Sequence, residues 1–128
     1  MTTKNTIQKQ VVLNAVLSLK THPSAEEVYS FISKDFPTIS LATVYRNLNA
    51  LSGEGKIQKI VIANSPDRFD HKLGKHSHCR CSSCGRVYDF PFVPEISPKS
   101  FEVDFFRAMD YYLVIDGVCA QCESQNIN

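Results

Sequence analysis

No stretch of this 128-residue sequence is apolar for long enough to cross a membrane. The longest candidate, Val11 to Leu19, is broken by Asn14 and Ser18 and falls well short of the roughly 20 residues a spanning helix needs. Lys4 and Lys9 precede it as they would in a secretory leader. No small-x-small cleavage site follows, and an amphipathic helix describes the segment better. An excess of one charge is missing too: 14 Lys and Arg stand against 13 Asp and Glu, for a net charge of +1. Residues 1–72 hold nine basic and six acidic side chains, and residues 73–128 hold five and seven. A mildly basic front half permits nucleic-acid binding without requiring it. The sequence also shows no repeats, no low-complexity tract, no phosphate-cradling glycine loop and no nucleophile with a neighbouring base. That argues against an enzyme.

A disulfide framework is also absent. The five cysteines are an odd number, and four of them form Cys-x-x-C pairs, Cys81/Cys84 and Cys119/Cys122. Such usage fits thiols kept reduced and bound to metal, and so predicts a cytoplasmic protein.

What is present is ordinary globular composition, 43% hydrophobic and 21% charged. Ile7, Val11, Ala15 and Val16 recur at helical spacing and predict a first helix ending near Leu19. Ser24 and Glu27 form a capping-box pattern after Pro23, opening a second helix that buries Val28 and Ile32. Ser40 caps a third, with Leu41, Val44, Leu48 and Leu51 on one face and Thr43, Arg46, Asn47 and Asn49 on the other; Gly53 and Gly55 stop it. Residues 57–62 predict a strand, Asn64-Ser65-Pro66 a turn, and Arg68-Phe69-Asp70 a return strand. Three helices and a hairpin make a winged helix-turn-helix, whose third helix would enter the major groove of DNA. Ser40, Thr43, Tyr45, Arg46 and Asn47 are its candidate DNA contacts. A small helical domain whose third helix merely faces water fits the same pattern equally well.

The segment from Asp70 to Lys75 reads as a hinge, giving domains at 1–72 and 73–128. Beyond it strands are predicted at residues 77–81, 87–90, 101–106 and 111–115, while Pro91, Pro94 and Pro98 exclude a long helix between the second and third. The fold class is therefore α+β.

A Cys-x-x-C turn places two thiolates on one side of a tight loop, and two such turns complete a closed tetrahedral site at about 2.3 Å from a zinc ion. Zinc bound by Cys81, Cys84, Cys119 and Cys122 would be structural, contributing on the order of 10 kcal/mol to folding. A redox pair would sit at a helix start after a strand, whereas residues 87–90 after Cys84 read as strand. Alternation puts the fifth cysteine, Cys79, on the face of Cys81, as a small buried residue or a reserve ligand. His76-x-His78 points two imidazoles to the other face. Two solvent-facing histidines on a sheet edge would look the same, but Asp70 lies just upstream and hairpin pairing would bring Asp89 alongside. With His22 these form a mixed imidazole and carboxylate set suited to Fe²⁺, Mn²⁺ or Zn²⁺. Ligands drawn from both domains would couple metal binding to domain orientation.

The stretches His22-Pro23-Ser24-Ala25-Glu26-Glu27-Val28-Tyr29 and Ile39-Ser40-Leu41-Ala42-Thr43-Val44-Tyr45-Arg46-Asn47-Leu48, then Arg68-Phe69-Asp70, His76-Ser77-His78 and the two cysteine pairs, resemble the ferric uptake regulator superfamily from about residue 6 to residue 122. The resemblance implies an N-terminal winged helix, a C-terminal α/β dimerisation domain with structural zinc, and a homodimer that binds palindromic operator DNA when metal-loaded. It implies no membrane and no small organic ligand as partner. The peroxide-responsive branch is the most similar. Its regulatory ligands, three histidines and two aspartates, fall on His22, Asp70, His76, His78 and Asp89, whereas iron- and zinc-sensing relatives usually carry glutamate at one or both carboxylate positions. On that resemblance Fe²⁺ reacts with hydrogen peroxide, the oxidant modifies His22 or His78, and the repressor leaves its operator. With Mn²⁺ it would repress but hardly respond. Three departures stand out. Pro94 and Pro98 leave room for little more than a turn where the family has a helix, residues 101–118 lack the histidines of a further metal site, and Cys79 adjoins His78.

Two other readings compete with a peroxide sensor. One is a metal-uptake regulator with the same ligands and no oxidation chemistry. The other is a thiol oxidoreductase or zinc-binding chaperone with no DNA role.

Overall fold

The structure is a computed structural model describing residues 4–74, 77–92 and 96–125. It divides into two compact units, Met1–Gly74 and Lys75–Asn128.

The first unit begins with α1 (Lys4–Leu19), α2 (Ala25–Ser33) and α3 (Leu41–Gly53). The α1 stripe that reaches the core is Val12, Ala15 and Val16; Ile7, the first residue of the helical spacing, is half exposed because the core begins a turn and a half further on. Lys20, at φ +55, ends the helix in the left-handed conformation and bonds back to the Val16 carbonyl at 3.3 Å. Both serine caps form as the sequence predicts: Ser24 Oγ accepts the Glu27 N–H at 3.3 Å, and Ser40 Oγ accepts the Thr43 N–H at 3.1 Å. Each satisfies a backbone donor that a helix start leaves open.

The end of α3 follows from Gly55. At φ +75 it lets its own N–H reach the Ser52 carbonyl (3.1 Å) while the Lys56 N–H reaches Leu51 (3.0 Å), a Schellman closure that other residues enter only with strain. Strands β1 (Gln58–Ile60) and β2 (Arg68–Asp70) then pair antiparallel, Lys59 opposite Phe69. β1 is shorter than the predicted 57–62 strand because β2 offers only three partners. Helix α3 packs on α1, α2 and β1, and Val28, Ile32, Val44, Leu48, Leu51, Ile57 and Phe69 close the core. This is the winged helix-turn-helix arrangement.

The second unit is a three-stranded sheet of order β4-β3-β5, from β3 (Ser77–Cys81), β4 (Val87–Phe90) and β5 (Val114–Gly117). β3 and β4 form an antiparallel hairpin, while β3 and β5 run parallel. The strand predicted at 101–106 does not form. Pro98 starts a 3-10 turn, Pro98–Phe101. Beyond it Val103 and Phe106 bond to each other across a tight reversal, at 3.2 and 3.0 Å. An alternating apolar pattern makes a strand only where a sheet edge pairs with it; here Phe105 and Phe106 are exposed instead. The last strand begins three residues later than predicted, because its parallel register puts Gly117 opposite Cys81. A six-residue helix, α4 (Ala120–Gln125), follows and was not foreseen.

Candidate metal sites

The β3/β5 register builds the first site. Cys81 ends β3 and Gly117 ends β5 beside it, so the loops that leave these two strand ends carry the cysteine pairs side by side. The first loop turns through Gly85 at φ +77, its N–H on the Cys81 carbonyl at 2.8 Å. Ser82 ties the loops together, donating both its N–H (2.8 Å) and its Oγ (3.0 Å) to the Gly117 carbonyl. The result gathers Cys81, Cys84, Cys119 and Cys122 with every sulfur within 4.8 Å of the others. Cys84 Sγ and Cys119 Sγ are 3.9 Å apart, close to the roughly 3.8 Å edge of a sulfur tetrahedron with 2.3 Å zinc bonds.

Electrostatics favour the same use. The N–H groups of Cys119 and Cys84 both point at Cys81 Sγ, each at 3.4 Å, and pull that thiol down to about 6. The Cys122 N–H likewise lowers Cys119, whereas the bond to Cys119 pushes Cys122 up to about 12. Four thiols this close share protons unequally, and a divalent cation that replaces the protons lets all four serve as thiolates. The donor set therefore fits zinc. The second pair does lie between a strand and a short helix, the setting of a redox motif. The facing pair of sulfurs is what makes a closed four-sulfur site of it. Cys79 stands outside the four, half-buried rather than buried, its thiol raised by burial and then by the Asp89 charge.

The other candidate ligands form one pair in each unit. In the first unit His22 Nε2 lies 3.4 Å from Asp70 Oδ2, and both residues are buried. The second Asp70 oxygen, Oδ1, accepts the Lys72 N–H at 3.0 Å and has His71 Nδ1 at 3.5 Å, which leaves Oδ2 turned toward His22. His71, the residue that follows Asp70 in the chain, has no place in the ligand set read from the sequence. In the second unit the hairpin register sets His78 directly across from Asp89, with Nε2 and Oδ1 3.6 Å apart. Nitrogen and oxygen ligands of one ion stand roughly 3.0–3.5 Å apart for bonds near 2.1 Å; the His22–Asp70 pair falls in that range and the His78–Asp89 pair stands just beyond it. His76 lies outside the described residues.

On α3 the five candidate DNA contacts are engaged with their own unit. Ser40 Oγ donates to Thr43 Oγ1 (2.9 Å), as does Arg46 Nη2 (3.2 Å), and Asn47 Nδ2 donates to the Thr43 carbonyl (2.9 Å). Tyr45 donates its hydroxyl to Glu26 Oε1 at 2.8 Å, and that carboxylate raises the phenol. Ser40, Tyr45 and Arg46 are exposed.

Comparison with known proteins agrees with this geometry. The ferric uptake regulator family pattern matches residues 1–105. The peroxide-responsive repressor PerR of Staphylococcus aureus strain USA300 is 35% identical over 122 residues, covering 94% of this chain and 82% of the relative. Among solved structures, the Helicobacter pylori ferric uptake regulator Fur, described as having three functional metal binding sites, superposes with a TM-score of 0.74 at 27% identity, covering 94% of this chain and 82% of its own. The Campylobacter jejuni peroxide stress regulator does so at 0.67 and 28%, covering 93% and 91%. The chain belongs to the ferric uptake regulator family.

Proposed function

We propose that this protein is a metal-dependent transcriptional repressor that senses hydrogen peroxide. The observation that carries the reading is the pair of imidazole–aspartate contacts, His22 with Asp70 and His78 with Asp89. Together with His76 they would complete one regulatory centre for Fe²⁺ or Mn²⁺, which ties the two units into the DNA-binding arrangement. The zinc ligands Cys81, Cys84, Cys119 and Cys122 would hold the second unit folded independently of that signal.

A bound Fe²⁺ would supply the electrons that split peroxide beside the ligand imidazoles. His22 and His78 would be the side chains that take up the oxygen. An oxidised ring is a poorer nitrogen donor, so the set loses a ligand, the units are released and the operator is vacated. With Mn²⁺ the same residues would keep the repressing arrangement and respond little to peroxide.

DNA binding is assigned to the exposed face of α3, with Arg46 as its one cation and Ser40, Thr43, Tyr45 and Asn47 as polar contacts. A palindromic operator calls for a two-fold dimer. Among the described residues of the second unit only Cys81 and Val87 are buried hydrophobics, while Phe92, Phe105, Phe106, Met109 and Tyr112 are exposed. A unit this thin in core is completed by a second copy of the chain. Its thiol chemistry suits a reducing cytoplasm.

The alternative, a metal-uptake regulator with the same ligands, draws on the likeness to the Helicobacter pylori regulator. Mass spectrometry of iron-loaded protein before and after peroxide separates the two. One added oxygen on the peptides holding His22 or His78, with loss of operator binding, is expected; unmodified histidines after peroxide sink the sensing reading and leave uptake regulation.

A further inference from the structure

His22 holds its half of the regulatory site in a left-handed backbone conformation that few non-glycine residues adopt, at φ +55. Such a conformation persists only where its surroundings over-determine it. Strand β2 supplies those surroundings at three successive residues. Arg68 Nη1 donates to the His22 carbonyl at 3.2 Å, the Phe69 N–H donates to the Pro23 carbonyl at 2.9 Å, and Asp70 faces the His22 imidazole. Ser24 bridges back to Arg68. The same Nη1 also lies 3.3 Å from Glu27 Oε1, the carboxylate that takes the Ser24 hydroxyl at 3.3 Å. A planar guanidinium can serve a carbonyl and a carboxylate at once. Here it joins the left-handed corner before α2 to the first turn of that helix.

We infer that Arg68 is the positioning residue of His22: its guanidinium locks the 22–24 corner to β2, so that the His22 imidazole faces Asp70 before any metal arrives. The inference rests on the reading of His22 and Asp70 as regulatory ligands. A preformed pair binds metal more tightly because the ordering of the left-handed corner is not charged against binding. Arg68 itself touches no metal in this account and acts only through the His22 backbone.

The test uses the full chain with zinc in place, titrated with Mn²⁺, and compares Arg68→Met, Arg68→Lys, Glu27→Gln and Asp70→Asn. Arg68→Met keeps the stem without the donor and is expected to lose about 10–100-fold in Mn²⁺ affinity, the range for lost outer partners of a metal site. Before Mn²⁺ is added, its Phe69 amide should exchange with solvent faster than in the parent. Arg68→Lys restores a donor and should recover most of both. Glu27→Gln, at an exposed position, should cost about two- to fivefold in affinity, as for a surface ion pair.

Parent-like Mn²⁺ affinity in Arg68→Met, or slow Phe69 exchange in that variant, overturns the inference. If Arg68→Met does not fold, parent-like affinity in Glu27→Gln overturns it instead. Asp70→Asn separates the two levels: if it binds Mn²⁺ as the parent does, the ligand reading itself fails, whatever Arg68 does.

Discussion

Asp89 is the candidate ligand whose setting is simplest to state. It is exposed, it stands across the hairpin from His78, and its oxygen is 3.6 Å from that imidazole. Removing it leaves the hairpin register intact, because the backbone bonds do not involve the side chain. Asp89→Ala is therefore predicted to lower Mn²⁺ affinity by more than about 100-fold, beyond the usual cost of an outer partner, while the four thiols keep their zinc. Calorimetric titration and zinc analysis of one sample check both halves; unchanged Mn²⁺ affinity would remove Asp89 from the site. Ser40 makes a prediction of another kind. Its Oγ satisfies the Thr43 N–H at the start of α3, and Ser40→Ala is predicted to cost about 1 kcal/mol in urea unfolding. A change near zero would mean that solvent replaces the cap without penalty. At this scale the sequence was informative wherever chemistry is local. Cap residues, cysteine pairs and the His78–Asp89 hairpin pairing could all be anticipated from spacing. The contacts of Arg68 with His22 and Glu27 could not, since they depend on chain segments brought together by β2.

Helix α3 carries both core residues and the proposed DNA contacts. One face buries Val44, Leu48 and Leu51, and the other presents Arg46. The two faces are predicted to separate under mutation. Arg46→Ala should weaken operator binding by about 1–3 kcal/mol with little change in unfolding, as read by a salt-controlled mobility or anisotropy assay. Unaltered binding would favour a role without DNA. Leu48→Ala should instead cost about 2–5 kcal/mol of stability, since Leu48 is wholly buried; a loss under about 1 kcal/mol in urea would show that the core refills the space. The three helices were legible because apolar residues recur at their period and serines mark their starts. The element that misled was residues 101–106, whose alternation imitates a strand. Alternation shows which side chains would share a face, not whether a sheet edge is available to pair with them.

At the scale of the whole molecule the two units differ in what holds them. The first has a continuous apolar core from Val12 to Phe69; the second has few buried hydrophobics among its described residues and a four-sulfur cluster instead. Removing zinc with a chelator under reducing conditions is predicted to unfold the second unit and spare the first. The far-ultraviolet helix signal should largely persist, since α1, α2 and α3 lie in the first unit and, among the described residues, only the six-residue α4 is an α-helix of the second. The near-ultraviolet signal of the half-buried Tyr88 and Tyr111 should collapse, and with no tryptophan in the chain the tyrosines are easily followed. Loss of all helix in one transition would show instead that the units fold together.

By itself the sequence determined the order of helices and strands in the first unit, the four cysteines that gather as candidate zinc ligands and the pairing of His78 with Asp89. Each depends on residues near in the chain or on a spacing that only one geometry serves. Tertiary structure alone decided the left-handed turn at His22, its clamp by Arg68, the late start of β5 and the collapse of residues 101–106 into turns. Those outcomes depend on backbone hydrogen bonds between distant segments, and such partners exist only once the chain has folded.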